Sequence, residues 1–281
     1  MAGDSTAPQA AETPSRNLLM RVLAALVLAP ITIAIAWLGG WPWLWLVTIA
    51  AAILYYEWQM IVGVWRNRFI MATGIAALGI AGPLLMIGEM KWLSAVLAAA
   101  CAILALLARA QSAWVVGGFL YATAAFLGAI IVRADVAYGF VALVFVLLVV
   151  WAADIGGYFA GRGIGGPKLW PRVSPKKTWS GAIGGLLASL AIAAGFAAAG
   201  QGALVTLLVL GAVLSVVSQL GDLFESAIKR QFGVKDSSHI IPGHGGLMDR
   251  LDGFIAAIAF AALVGALRGG VDGAGRGLMV W

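Results

Sequence analysis

"YGFVALVFVLLVVWAADIGGYFA", Tyr138 to Ala160, carries no charge before Asp154 and is built mainly of Val, Leu, Phe and Ala. A helix needs about 20 such residues, at about 1.5 Å each, to cross the hydrocarbon core of a bilayer. Eight other runs share this character: 18–38, 43–62, 70–88, 92–108, 113–132, 181–199, 202–228 and 251–268. The run at 202–228 is long enough to leave the bilayer and continue into water as a helix. The expected fold is all-α, a polytopic integral membrane protein of about nine transmembrane helices. Composition agrees: 11% of the 281 residues are charged and 62% are hydrophobic, whereas soluble domains carry about 25% charged residues.

Three regions follow. Residues 1–17 are polar and rich in Ala, Pro, Ser and Thr, and read as a disordered tail. Residues 18–137 form an N-terminal transmembrane half of about five helices. Residues 138–281 form a C-terminal half of about four, which holds nearly all the distinctive polar sequence. No soluble domain is inserted and no internal repeat is evident. Cys101 lies inside an apolar run, so no intramolecular disulfide is available and a buried apolar role is expected. The net charge of +6 does not indicate nucleic acid, because in a membrane chain the placement of Lys and Arg matters more than their sum.

That placement is one-sided. With the N-terminus in the cytoplasm, 14 of the 18 Lys and Arg residues fall in cytoplasmic connections, and Lys91, Arg133, Arg268 and Arg276 fall opposite. The C-terminus is then expected on the far side. Trp37, Trp41, Trp43 and Trp45 cluster at the first outer turn, as interfacial anchors do.

Several carboxylates stand where charge is costly, about 2.5–3.5 kcal/mol at the centre of a spanning helix and less toward its ends. Asp154, Asp222, Asp249 and Asp252 all fall near cytoplasmic helix ends. Unpaired carboxylates there tend to protonate unless a cation holds them ionised. Carboxylates converging from two helix ends suit Mg²⁺, which takes one or two of them along with waters and substrate phosphates. Each has an alternative structural reading. Asp249 or Asp252 is placed to cap the last helix, and Asp222 to pair with a nearby Lys or Arg. Ser226 and Lys229 share a helical face with Asp222. Glu57, about one turn inside the second span, reads as the structural partner of an interfacial Arg.

Two connections are basic or glycine-rich. "SPKKTWSG" places Ser174, Lys176, Lys177 and Thr178 just before an apolar helix. Lysines and a helix N-terminus suit phosphate, although the same lysines satisfy the ordinary positive-inside bias. It is not a P-loop, since GxxxxGK[ST] is absent. "KDSSHIIPGHGGLMDRLDG", Lys235 to Gly253, contains both histidines. Gly245 and Gly246 permit close backbone approach to a ligand. The two histidines lack the partners of a structural zinc site. His244 reads as a hydrogen-bond donor to phosphate and His239 as local structure. The residues thus describe a membrane-embedded, Mg²⁺-dependent polyphosphate site with a lipid as second substrate.

Read from Ser226, "SAIKRQFGVKDSSHIIPGHGGLMDRLD" closely resembles the signature of the phosphatidate cytidylyltransferases, or CDP-diacylglycerol synthases. Ser226, Lys229, Arg230, Lys235, Asp236, His244, Gly245, Gly246, Asp249, Arg250 and Asp252 match it. "DIGGYFAGRGIGG" and "SPKKTWSG" also look like this family, so the resemblance covers the C-terminal half. One departure is Ser180, where many members carry Glu. The resemblance implies transfer from CTP to phosphatidate, with release of pyrophosphate. It implies Mg²⁺ held by Asp222 and Asp249, with Asp154 and Asp252 as further candidates, and a second, monovalent cation such as K⁺. Lys229, Arg230, His244 and Arg250 are the expected catalytic residues. Ser174, Lys176, Lys177, Thr178, Lys235, Gly245 and Gly246 are the expected substrate contacts. The resemblance also implies a homodimer in a bacterial inner membrane, and the positive-residue bias leads to the expectation that the active site faces the cytoplasm. A CTP-dependent lipid kinase, a CDP-alcohol phosphatidyltransferase and an ion-coupled transporter remain as alternatives.

Overall fold

The structure, a computed structural model, describes residues 30–238, 240 and 245–281. The expected tail at 1–17, most of the expected span at 18–38, and His239 and His244 lie outside the described residues. Residues 30–38 are helical. Eight long helices follow: α1 (Gly40–Val62), α2 (Arg68–Met86), α3 (Met90–Ala108), α4 (Ser112–Ala134), α5 (Gly139–Gly163), α6 (Trp179–Ala198), α7 (Leu204–Gln231) and α8 (Met248–Gly269). A hairpin of β1 (Lys168–Trp170) and β2 (Ser174–Thr178) joins α5 to α6, and a short α9 (Ala274–Met279) closes the chain. The limits agree with the apolar runs to within three residues.

Among the described residues, seven helical segments are long and apolar enough to cross a membrane. One of them, Met90–Ala134, is 45 residues long and far exceeds one bilayer crossing. It is divided by a 3₁₀ turn at Arg109–Gln111, where Arg109 adopts φ 50°, into α3 and α4, which fold against each other. The chain is a multi-pass membrane protein.

The core is held by interhelical bonds and small residues. The Trp43 indole donates to Ala129 O at 3.0 Å and the Trp58 indole to Trp114 O at 2.9 Å, tying α1 to α4 in antiparallel array. Tyr55 donates to Ile70 O at 2.9 Å, closing α1 on α2. The tightest pair is α5 with α6. A Cβ on Gly185 would lie 2.6 Å from Ala153 O, one on Gly156 2.6 Å from Ala188 Cβ, and one on Gly184 would collide with Ala160. Lipid gives apolar side chains no reason to leave it, so close backbone packing over small residues drives such pairs.

Antiparallel packing sends the end of α1, both ends of the β-hairpin, the end of α7 and the start of α8 to one end of the bundle. Of the eighteen Lys and Arg residues, Arg16 and Arg21 lie outside the described residues. Twelve of the other sixteen fall at this end, with Lys91, Arg133, Arg268 and Arg276 opposite. At the opposite end Asp135 accepts from the Arg276 amide at 2.7 Å, and the Arg268 guanidinium lies 3.5 Å from the Trp281 ring centre, seating α9. α9 and the β-hairpin are additions to the expected all-helical arrangement. Both are short, and neither carries the apolar periodicity that marks a span.

Candidate active site

The basic connection becomes a wall because its ends are tied. Thr178 is extended and its hydroxyl accepts from the Gly181 amide at 3.1 Å, capping α6. Ser180 donates to Gly165 O, and its hydroxyl lies 2.9 Å from that of Thr178. β1 and β2 pair antiparallel between these ties. Lys176 and Lys177 are thereby held over a cavity of about 390 Å³ whose other walls include Asp154, Gly157, Arg162 and Asp222. At its rim the Arg162 guanidinium donates to the Tyr158 hydroxyl at 2.7 Å.

Lys177 forms an ion pair with Asp222, and Ser226 donates weakly to the same carboxylate at 3.4 Å. Gly221 and Gly253 bring α7 and α8 together just here. A Cβ on Gly221 would stand 2.9 Å from Asp252 O, and one on Gly253 3.1 Å from Ser218 O. Asp154, Asp222 and Asp252 consequently lie within electrostatic reach of one another. Among the described residues the ion pair made by this trio is Lys177–Asp222. No three His, Cys, Asp or Glu side chains among the described residues are close enough to enclose a metal ion. The donor set is all oxygen and partly open. That fits a hard cation held by one or two carboxylates and completed by water and phosphate, which is the habit of Mg²⁺.

A second polar centre adjoins it. Lys229 donates to Glu225 at 2.9 Å and to Asp249 at 2.7 Å, linking α7 to α8. Asp249 also accepts from the Ser237 amide and the Gly246 amide, both at 2.9 Å, and lies 3.0 Å from the Ser237 hydroxyl. Gly245 adopts φ 83°, a left-handed conformation that favours glycine, and so turns the chain into α8. Glu57 closes this centre from α1, accepting from Ser238 at 2.6 Å and from the Leu247 and Met248 amides at 2.9 and 2.7 Å.

The expected site residues therefore divide. Lys176, Lys177, Thr178, Asp154 and Asp222 line one cavity. Lys229, Asp249, Gly245 and Gly246 form the adjoining centre. Ser174 opens β2, opposite Trp170, and is not among the cavity-lining residues. Arg230 donates to Val234 O at 3.0 Å, closing the end of α7. Lys235 is exposed beyond it, and Arg250 lies in the first turn of α8. Asp252 does not cap α8, since it accepts from its own neighbour Gly253 at 2.7 Å within the helix. Lys229 shares a face with Asp222 but bonds Glu225 and Asp249 instead.

Glu225 joins the site without having been expected there, and Glu57 joins it with partners other than the one expected. Glu225 was recoverable, because Glu and Lys four apart on a helix form a familiar pair. Glu57, expected to pair with an interfacial Arg, makes no ion pair among the described residues and binds backbone amides and serines near position 240. No local pattern announces such a contact.

A family model described as "Cytidylyltransferase family" matches residues 19–267. A phosphatidate cytidylyltransferase of Brucella suis is 43% identical over 257 residues, covering 89% of this chain and 94% of that protein. Proteins of the same name from Haemophilus influenzae and Bacillus subtilis are 46% and 43% identical over 132 residues each. They cover 45% and 46% of this chain, and 46% and 49% of their own lengths.

Proposed function

The chain belongs to the cytidylyltransferase family, and from that premise we propose that it transfers the cytidylyl group of CTP to phosphatidate. An oxygen of the phosphatidate phosphate attacks the α-phosphorus of CTP. The bond from that phosphorus to the β-phosphate oxygen breaks, and CDP-diacylglycerol and pyrophosphate form. The attacking oxygen is already anionic, so no strong base is needed. The task is to hold two mutually repelling anions in line and to neutralise the leaving group. The observation that carries this reading is the cavity at the helix ends, with Lys176, Lys177 and the capped start of α6 on one wall and Asp154 and Asp222 on the other.

In this reading Lys176 and Lys177 bind substrate phosphate, with Thr178 fixing the start of α6 behind them. Asp222 and Asp249, with Asp154 and Asp252 as further candidates, would hold Mg²⁺, which when bound would supply charge neutralisation for the phosphates. Lys229 acts through Asp249, keeping that carboxylate ionised and oriented. Gly245, Gly246, His244, Arg250, Arg230 and Lys235 complete the phosphate-binding side. The bundle has nine spans, and the site faces the cytoplasm. The excess of Lys and Arg at the site end supports that orientation.

Purified protein given labelled CTP, phosphatidate and Mg²⁺ tests the proposal. CDP-diacylglycerol and pyrophosphate are expected in equal amounts, and diacylglycerol does not replace phosphatidate. Release of CDP with a newly phosphorylated lipid alcohol refutes it in favour of a lipid kinase.

A further inference from the structure

Glu57 stands in α1, in the half of the chain that carries none of the signature residues, and it is fully buried. Its Oε1 accepts from the Ser238 hydroxyl at 2.6 Å and the Leu247 amide at 2.9 Å. Its Oε2 accepts from the Met248 amide at 2.7 Å and lies 3.3 Å from the Ser237 hydroxyl. The two serines precede the segment containing the histidines, and the two amides follow it. One carboxylate thus grips both ends of that segment.

The first amides of a helix need acceptors. Leu247, at the N-cap of α8, supplies no side-chain bond, so Glu57 provides from another helix the oxygens that a capping Ser or Asp provides locally. A negative group also suits the positive end of the helix dipole. The backbone is packed tightly against it: a Cβ on Gly246 would collide with the Ser237 hydroxyl and come within 2.7 Å of Glu57 Oε1. Ser237 stands between two carboxylates. Its hydroxyl is 3.3 Å from Glu57 and 3.0 Å from Asp249, and its single proton serves one at a time.

We propose that Glu57 is a positioning residue for nucleotidyl transfer: it fixes the start of α8, and with it the orientation of Asp249 and Asp252, from the N-terminal half of the molecule. This rests on the reaction proposed above. It gives the N-terminal helices a part in catalysis beyond scaffolding.

Glu57→Gln is the test, in full-length protein in detergent. The amide keeps the shape but turns an NH₂ toward groups that are themselves donors. Turnover is expected to fall about ten-fold or more, the usual scale for losing an outer partner of a working carboxylate. The KM for phosphatidate should stay within about two-fold, because the lysine wall is untouched. Hydrogen exchange read by mass spectrometry should quicken in peptides spanning 237–248 and stay unchanged in α5 and α6. Turnover within about two-fold of the unmodified protein overturns the proposal. So does faster exchange spread evenly over the molecule, which marks a residue that merely stabilises the fold. If Glu57→Gln does not purify, Ser238→Ala, which deletes only the 2.6 Å bond, is judged by the same two criteria. If the unmodified protein makes no CDP-diacylglycerol, the reaction assignment fails, while the exchange measurement still reports on the grip of Glu57.

Discussion

Lys229 Nζ lies 2.7 Å from Asp249 Oδ1, bridging the end of α7 and the start of α8. The same ammonium is 2.9 Å from Glu225, whose other oxygen is buried without a hydrogen-bond partner among the described residues. One cation thus holds two carboxylates, and its removal leaves both charges with less compensation in a water-poor site.

Lys229→Met is therefore expected to abolish turnover and to destabilise the protein by about 3–5 kcal/mol, the range for stranding one side of a buried pair. Thermal unfolding in detergent measures the second effect. Adding Glu225→Gln should recover part of the lost stability and none of the turnover. Full stability in Lys229→Met alone would show that the bridge is not structural.

Asp222→Asn keeps the shape of the side chain and removes the anionic oxygen that a hard cation prefers. Turnover should be lost at ordinary Mg²⁺ concentration, and the protein should still purify and unfold normally. Recovery at high Mg²⁺ would indicate weakened ion binding, whereas near-normal rates at ordinary Mg²⁺ would remove Asp222 from the ion site. Asp249→Asn should also be inactive, with an added stability loss because its carboxylate accepts from Lys229, Ser237 and Gly246.

Lys177→Ala should lower turnover by about ten-fold or more, through lost charge neutralisation of the phosphates. Lys177→Arg should restore only part of that, since a planar fork replaces a compact ammonium. Equal rates in the Arg variant and the unmodified enzyme would mean that charge alone matters at this position.

Gly185→Ala adds a methyl 2.6 Å from Ala153 O, one residue before Asp154. The two helices must separate, at a cost of about 1–3 kcal/mol for overpacking. Turnover should fall with stability, because the separation moves Asp154 relative to Lys177. Gly195→Ala, on the same helix with open space around it, is the control and should leave both unchanged.

Orientation is tested by single cysteines in a Cys101→Ala background. Arg172→Cys in the β-hairpin and Trp281→Cys at the C-terminus should behave oppositely in right-side-out vesicles. An impermeant maleimide should label position 281 and not 172. Labelling of 172 from outside would reverse the assignment drawn from the positive residues.

Span positions were legible in the sequence because hydrocarbon thickness acts on local composition, so a run such as Tyr138–Ala160 declares itself without reference to any other part of the chain. The candidate site carboxylates were legible for a similar reason. Charge is costly at a membrane helix end, so Asp154, Asp222, Asp249 and Asp252 stood out one by one. Lys229 with Glu225 was also readable, being a contact within one helical turn. Partners across helices were not readable. Lys177 meets Asp222 because α7 packs along α6, where a Cβ on Gly211 would stand 2.9 Å from Ala193 Cβ and Gln219 donates to Ala182 O at 3.3 Å, and tied strands aim the lysine across the gap. Glu57 meets Ser238, Leu247 and Met248 because α1 packs antiparallel to α4, and α4 packs against α8. The sequence by itself determined how many apolar helices to expect and which residues are candidates for the chemistry. Only the tertiary structure decided which of them face one another, because interhelical packing is settled by the fit of whole surfaces and not by the neighbours of any one residue.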